Sequence, residues 1–281
     1  QNTGASGQSA AQLIANEKCS AALDETGEAT SLQSISYSDT TWSLLFNCNS
    51  VFGSPPLRQA LAEVARTAAS TPDSGLFAPV TGLIPDGLTV DGIDYRDAAG
   101  NPTPAPVDAV RLYREARQGM SNSDFNNVTL LLPAGSGLTQ AAEEINGEWQ
   151  KQFSLFFSLE EVEPEEFEKR LAEGNYTIAL APISAESGSV YNVLAQFTAQ
   201  GGGLTGYANS LYATQLAASS TATGSARCSL LADCERQLLS DCAVVPLFSQ
   251  QKRLLIADGI QGLVFDPFGP VLDLTETTLK K

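Results

Sequence analysis

Between residues 127 and 183 the chain switches repeatedly between two periods, and this limits its fold more than any other feature. "VTLLLPAG" reads as a buried strand. "GLTQAAEEINGEWQKQF" reads as a helix, because Ala141, Ile145, Trp149 and Phe153 recur on one face. "SLFFSLEEVE" is a second strand, "PEEFEKRLAEG" a helix opened by proline and closed by glycine, and "NYTIALAPI" a third strand. The order β-α-β-α-β predicts parallel strands at residues 128–132, 155–159 and 177–181, joined by right-handed crossovers. An α/β architecture follows, and antiparallel pairing throughout this stretch would exclude it.

The rest of the chain is consistent with one such lobe. "TWSLLFNC" is a strand candidate, and after "GSPP" the run "LRQALAEVARTA" places Leu57, Ala60, Leu61, Val64, Ala65 and Ala68 on one helical face. Pro56 falls in the first turn, where a helix tolerates it. Residues 70–106 are rich in proline and glycine and read as a long surface segment, followed by a short helix at "VDAVRLYREARQ". Two short helices, "SVYNVLAQFTAQ" and "SLYATQLAAS", precede a helix that feeds a strand in "SLLADCERQLLSDCAVVPLFS"; "KRLLIA" and "GLVFD" close the chain as strands. Residues 1–40, rich in small and polar residues with one helical run at 10–22, read as a peripheral segment, and residues 41–281 as the lobe. No internal repeat is present.

Composition removes several functional classes. With 281 residues, 43% hydrophobic and 17% charged, the chain can bury a sizeable core. Thirty-two acids against sixteen bases give a formal charge of -16, which repels phosphate backbones, so no nucleic-acid partner is expected. No run approaches the ~18 apolar residues of a membrane span, and "QNTGASGQSA" has neither a basic nor an apolar leader region. Two readings stay open: a cytosolic chain, or one whose export signal was removed ahead of Gln1. The sequence contains no histidine, so a zinc site would need four thiolates from Cys19, Cys48, Cys228, Cys234 and Cys242, which show no C-x-x-C spacing. No metal and no cofactor are expected. The cysteines read as buried free thiols, with one disulfide open to them in an oxidising compartment. Serine–histidine and cysteine–histidine nucleophile pairs are likewise excluded, leaving acyl transfer only a lysine or carboxylate base.

Four stretches in order carry a family resemblance. "WSLLFNCNSVFGSPPLRQALAEVA", "EEFEKRLAEGNYTIALAPI", "GYANSLYATQLAAS" and "LLSDCAVVPLFSQQKRLLIADGIQGL" resemble the C-terminal lobe of the extracellular solute-binding proteins of peptide ABC transporters, the oligopeptide- and dipeptide-binding family. The resemblance implies a periplasmic-binding-protein-like lobe, with a mainly parallel sheet flanked by helices. It also implies a monomer, exported and lipid-anchored, that captures a peptide or other small ligand and delivers it to ABC permease subunits, without catalysis. Family members are longer, with an N-terminal lobe that would precede residue 1, so this chain resembles a shortened form or a one-lobe remnant.

The resemblance also proposes a ligand site. In the family the loop after the third parallel strand reads Trp-x-Ala-Asp-Tyr-x-Asp-Pro, and its first aspartate pairs with the ligand's ammonium group. Laid over residues 183–190, these positions are Ile183, Ala185, Glu186, Ser187, Ser189 and Val190, so only the alanine and the acidic character remain. Glu186 is then the expected ammonium partner, with Ser187 beside it; an exposed glutamate on a solvated loop is the alternative.

Asn47 could present its amide to a peptide backbone, while Asn49 reads as a turn residue. Trp42 could wall a pocket, whereas Trp149 reads as core. Tyr207 marks a helix start that lies near the family's cleft, with Asn209 explained by capping and Arg58 by anchoring its helix. The run Glu160, Glu161, Glu163, Glu165, Glu166 and Glu168 reads as a solvated strand end and helix N-terminus rather than a paired-carboxylate centre. "GGGLTG" lacks the spacing and preceding strand of a nucleotide site. Two rivals to ligand delivery remain: a sensor or adhesion descendant of the binding fold, and a carboxylate-dependent hydrolase.

Overall fold

A computed structural model describes residues 9–16, 19–24, 30–268, 273 and 275–279. The described residues begin with α1 (Ala10–Ala15) and β1 (Ala21–Asp24), then the long β2 (Gln33–Phe46) and α2 (Pro55–Ala68). The surface segment carries β3 (Phe77–Pro79), the hairpin β4 (Thr89–Val90) and β5 (Ile93–Asp94), and α3 (Tyr95–Ala99). After α4 (Ala109–Ala116) come β6 (Thr129–Pro133), α5 (Thr139–Phe153), β7 (Ser158–Val162), α6 (Pro164–Ala172) and β8 (Ile178–Ser184). α7 (Val190–Ala195), α8 (Ser210–Ser219), α9 (Gly224–Ser240), β9 (Val244–Ile256), β10 (Ile260–Gln261) and β11 (Thr278–Leu279) complete it.

The expected β-α-β-α-β unit is present: β6 pairs with both β7 and β8 in parallel. The chain steps outward from β6 to β7 and then back across β6 to β8. Right-handed connections in opposite directions require helices on opposite faces. Accordingly α5 packs with one core cluster and Phe167 of α6 with the other.

The sheet as a whole is mixed rather than mainly parallel. Its order is β1-β9-β2-β8-β6-β7, with β3 also on β9, and β1, β2, β3 and β9 all pair antiparallel. The reason is connectivity: β2 leaves the sheet through α2 and a long surface segment before β6, so nothing forces it to run the same way as β8. The expected boundary between residues 40 and 41 falls inside β2, and β1 belongs to the same sheet. The helical run expected over 10–22 stops at Ala15, capped by Asn16.

Alternation along β2 explains how both sheet faces are covered. Trp42, Leu44 and Phe46 point into the cluster formed with α2, α4 and α5, while Leu45 joins α3, α7, α8 and α9 on the other side. Trp149 is fully buried, as expected, and its indole N–H donates to the Leu61 carbonyl at 2.9 Å. β7 starts at Ser158, not at residue 155, for a local reason. Ser154 takes a left-handed conformation (φ 57°) that ends α5, and the Asn146 side chain bonds both the N–H and the carbonyl of Phe157 at 2.9 and 2.6 Å. Phe157 is thereby tied to the helix before the ladder begins.

Candidate functional site

Because β2 runs against β8, the sheet has two chemically different ends. At one, β6, β7 and β8 finish and β2 enters; at the other, β8 begins and β2 leaves. The loop after β8 is short and tied down. The Ala185 N–H donates to the Asp39 carbonyl at 2.7 Å, Gly188 N–H to Ala185 at 2.8 Å, and Glu186 N–H to the Ser184 hydroxyl at 3.2 Å. Gly188 has φ 64°, and a Cβ there would lie 2.5 Å from the Phe268 carbonyl oxygen, so the turn requires glycine. Ala185 is buried, which leaves Glu186 and Ser187 facing outward.

Glu186 does not stand by itself. Its Oε1 lies 3.8 Å from Lys252 Nζ, and the same ammonium lies 3.0 Å from Asp39 Oδ1. The Asp39 side chain is 6% exposed, that of Lys252 12% and that of Glu186 70%. Thr40 adds a hydroxyl hydrogen bond to Asp39 Oδ1 at 2.8 Å. The rim therefore carries a buried ion pair with an exposed carboxylate on its outer side.

Next to this rim is a cavity of about 590 Å³. Its floor is formed by Tyr37 and Thr41 of β2 and Ser249 and Gln251 of β9, and its walls by residues 79–82 and 84–87 together with Phe265 and Pro267. Tyr37 and Phe265 meet edge to face, with ring centroids 5.0 Å apart. Thr41 is fully buried, and its hydroxyl has no hydrogen-bond partner among the described residues. A buried hydroxyl left without a partner is costly, so this floor has capacity for a further bond.

One wall is fastened by Glu235, a residue the sequence reading passed over. Its side chain is wholly buried; it accepts the N–H groups of Leu83 and Ile84 at 2.9 and 3.1 Å and the Tyr95 hydroxyl at 2.9 Å, and pairs with Arg96 Nη2 at 3.1 Å. Burial first, and then the neighbouring Glu235 carboxylate, push the Tyr95 hydroxyl well above its ordinary range, so it remains a donor. A Cβ on Gly82 would lie 2.7 to 2.8 Å from Pro102, Arg96 and Glu235. The signal was present in α9: Glu235 sits between Leu231 and Leu238 on the buried face.

The remaining expected residues are not gathered at this rim. Trp42 is 7% exposed and is part of the core, stacked edge to face on Phe77 and donating to Gln250 at 3.1 Å. Asn47 and Tyr207 belong to the opposite end of the sheet. In the β2–β8 register Thr40 faces Ser184 and Phe46 faces Ile178, so Asn47 lies roughly 23 Å along the strand from Thr40. The Asn47 amide donates to the Gly174 and Tyr176 carbonyls at 3.0 and 2.8 Å and accepts the Asn49 N–H at 3.0 Å. Tyr207 is held near that end because Cys48 N–H bonds the Thr205 carbonyl. Its hydroxyl donates to Asp241 Oδ2 at 2.5 Å, which also accepts from Asn209 and Gln237. Of the five, Glu186 and Ser187 stand at this rim, and an antiparallel β2 carries Asn47 to the other end.

Arg58 anchors its helix as expected, donating to the carbonyls of Phe52, Gly53 and Asp241. In the acidic run, Glu160 forms a two-pronged pair with Arg170 at 2.7 and 3.2 Å, and Glu161 accepts from Thr139. These carboxylates spread over β7 and the start of α6 and enclose no cleft. The five cysteines are free, and burial raises the thiols of Cys48, Cys228, Cys242 and Cys234, the last to about 12. Among the described residues no three acidic, cysteine or histidine side chains gather as a metal site, and no helix is long and apolar enough to cross a membrane.

No family model matches the chain, and no curated protein matches it. Solved structures share its fold. A structure showing how the pheromone receptor PrgZ binds peptide is 18% identical with a TM-score of 0.72, covering 97% of this chain and 56% of that one. OppA of Listeria monocytogenes bound to peptide is 20% identical with a TM-score of 0.68 and the same coverages. The substrate-binding domain of an oligopeptide ABC transporter from Bacillus anthracis is 17% identical with a TM-score of 0.71, covering 96% and 56%. The fold of this chain is that of part of the oligopeptide-binding proteins, and the chain spans 56% of the length of these three structures.

Proposed function

We propose that the chain is the C-terminal lobe of the ligand-capturing component of an ABC importer for peptides, acting outside the cell and delivering its ligand to the permease. The observation that carries this reading is the likeness of nearly the whole chain to peptide-binding proteins, together with a cavity beside the rim where the parallel strands end. Of the expected set, Glu186 and Ser187 are exposed at that rim and are the ones this reading assigns to the ligand. Trp42, Asn47 and Tyr207 contribute by holding the lobe. Export, a lipid anchor, a monomeric state and the absence of catalysis belong to the same proposal, as does a second lobe that closes over the ligand.

The test is to titrate a peptide library against this chain and against a two-lobe form, assaying the same mixtures for turnover. Binding without product, weak in the single lobe and strong in the two-lobe form, is the expected result, because closing a cleft excludes water from the ligand. Hydrolysed peptide, or equal affinity in both forms, would overturn the reading.

A further inference from the structure

The cavity of about 590 Å³ falls within the roughly 300–1,000 Å³ range of small-molecule sites, and its lining sorts by charge. Asp86 and Arg96 are the charged residues among those that line it. Neither has its charge to offer a guest. Each terminal nitrogen of Arg96 already has two acceptors: Nη1 the Gly100 carbonyl and Glu235 Oε2 at 3.2 and 3.3 Å, and Nη2 the Ile84 carbonyl and Glu235 Oε1 at 2.7 and 3.1 Å. Its Nε lies 3.9 Å from Asp86 Oδ1, and the Asp86 side chain is 92% exposed, so that carboxylate stands in water.

The floor is neutral and incompletely bonded. Gln251 donates one amide N–H to the Ser249 hydroxyl at 2.8 Å, and Ser249 in turn donates to the Ala78 carbonyl at 3.4 Å. That is one side-chain hydrogen bond for Gln251 among the described residues, where a carboxamide can make about four. The buried Thr41 hydroxyl beside it makes none. Ile35, Val80, Ile84 and Phe265 add apolar surface around these groups. An ion set on such a floor loses water and meets no opposite charge, which is costly, whereas an uncharged polar group finds hydrogen-bonding capacity to spare.

We propose that this cavity takes an uncharged, hydrogen-bonding part of the ligand, a carboxamide or an alcohol, and rejects an ionised one, with Gln251 as the residue that sets the choice. The inference rests on the ligand-capturing reading above and names the chemistry of the group captured.

The first arm of the test needs no peptide. Propionamide, propan-1-ol, propionate and propylammonium, alike in size, are titrated separately at equal ionic strength while the backbone amide signals of Thr41 and Gln251 are followed. Saturable shifts with a neutral probe, at concentrations about tenfold or more below any response to the two ions, are the expected result. Which neutral probe binds tells carboxamide from alcohol. Equal responses to neutral and ionised probes, or none to any, overturn the proposal.

Gln251→Glu places a carboxylate on the floor and is expected to move the ratio of propionamide to propylammonium affinity toward the cation by about tenfold, one charge interaction near a surface. A ratio that does not move overturns the proposal. If that variant does not fold, Gln251→Met decides, because it keeps the shape and adds no charge. Loss of neutral-probe affinity by about tenfold, with the responses to the ions unchanged, supports the proposal, and undiminished binding overturns it.

A last arm separates this inference from the peptide reading. Peptides of one length carry Gln, Glu or Lys at each position in turn. Neutral probes that saturate while no peptide binds support the cavity's chemistry and sink the peptide reading. Peptides that bind with Glu and Lys as well as with Gln at every position sink the inference and leave the peptide reading intact.

Discussion

The two ends of the sheet are built from similar residues and treat their polar groups in opposite ways. At the end where β2 leaves, the Asn47 amide, the Tyr207 hydroxyl and the Arg58 guanidinium are all engaged by protein partners. At the end where β2 enters, the Thr41 hydroxyl has no partner among the described residues and Glu186 is 70% exposed. Asparagine and tyrosine are chemically the better peptide-recognition groups, yet here they brace the fold. Residue type therefore does not mark the end with the cavity, and neither does one unpartnered hydroxyl, since Thr205 near the far end is also buried without a partner among the described residues; the cavity and the exposed Glu186 set the near end apart.

The comparison can be broken by substitutions of graded effect. The largest is expected from Glu235→Ala, which strands the Arg96 guanidinium and two buried N–H groups behind the cavity wall. Denaturant unfolding should show a loss of about 3–5 kcal/mol, and a loss under 1 kcal/mol would mean that water replaces the carboxylate. Asn47→Ala should follow, at about 1–3 kcal/mol, because two carbonyls lose their donors. Its ligand affinity should hold at temperatures where the variant remains folded. Lost affinity with unchanged stability would move the site to the far end and invert the comparison.

Buried thiols give a pH-dependent effect that is small near pH 9 and grows above it. Burial holds the Cys234 thiol neutral up to about 12, while the unfolded thiol ionises near its ordinary value of 9.0. The unfolded state then binds fewer protons, so stability is complete below about 9 and falls as pH rises toward 12, by at most about 1.4 kcal/mol per unit for one group. Comparing the alkaline limb of wild type with Cys234→Ala isolates this share, and parallel limbs would contradict it. Glu186→Gln should have the least effect on stability, within the 0 to about 1 kcal/mol of an exposed ion pair. A drop in melting temperature of more than a few degrees would show that the loop carboxylate braces the rim after all.

The same antiparallel strand explains what the sequence could and could not reveal. Alternating periods located β6, α5, α6 and the start of β8 to within a residue or two, since their apolar spacing depends only on neighbours along the chain. The direction of β2 relative to β8 is a tertiary choice, and a parallel assumption places Asn47 at the wrong end. β7 was displaced because Asn146 reaches eleven positions along the chain to bond Phe157. Lys252 and Asp39 are separated by 213 positions, and no local pattern announces such a pair. Glu235 was legible in principle, as an acid on the buried stripe of α9.

The unequal covering of β2 also has a mechanical meaning. Residues 39–46 are buried, clamped between helical layers, whereas residues 33–36 are exposed. Like a beam set in a wall, the strand is held on both faces over its embedded length and, beyond it, by its sheet neighbour β9. The end of the embedded length coincides with the register shift between Tyr37 and Thr40. A load applied to the projecting end would therefore reach the Asp39–Lys252 pair before it reached the core, coupling deflection of the ribbon to the charge arrangement at the rim.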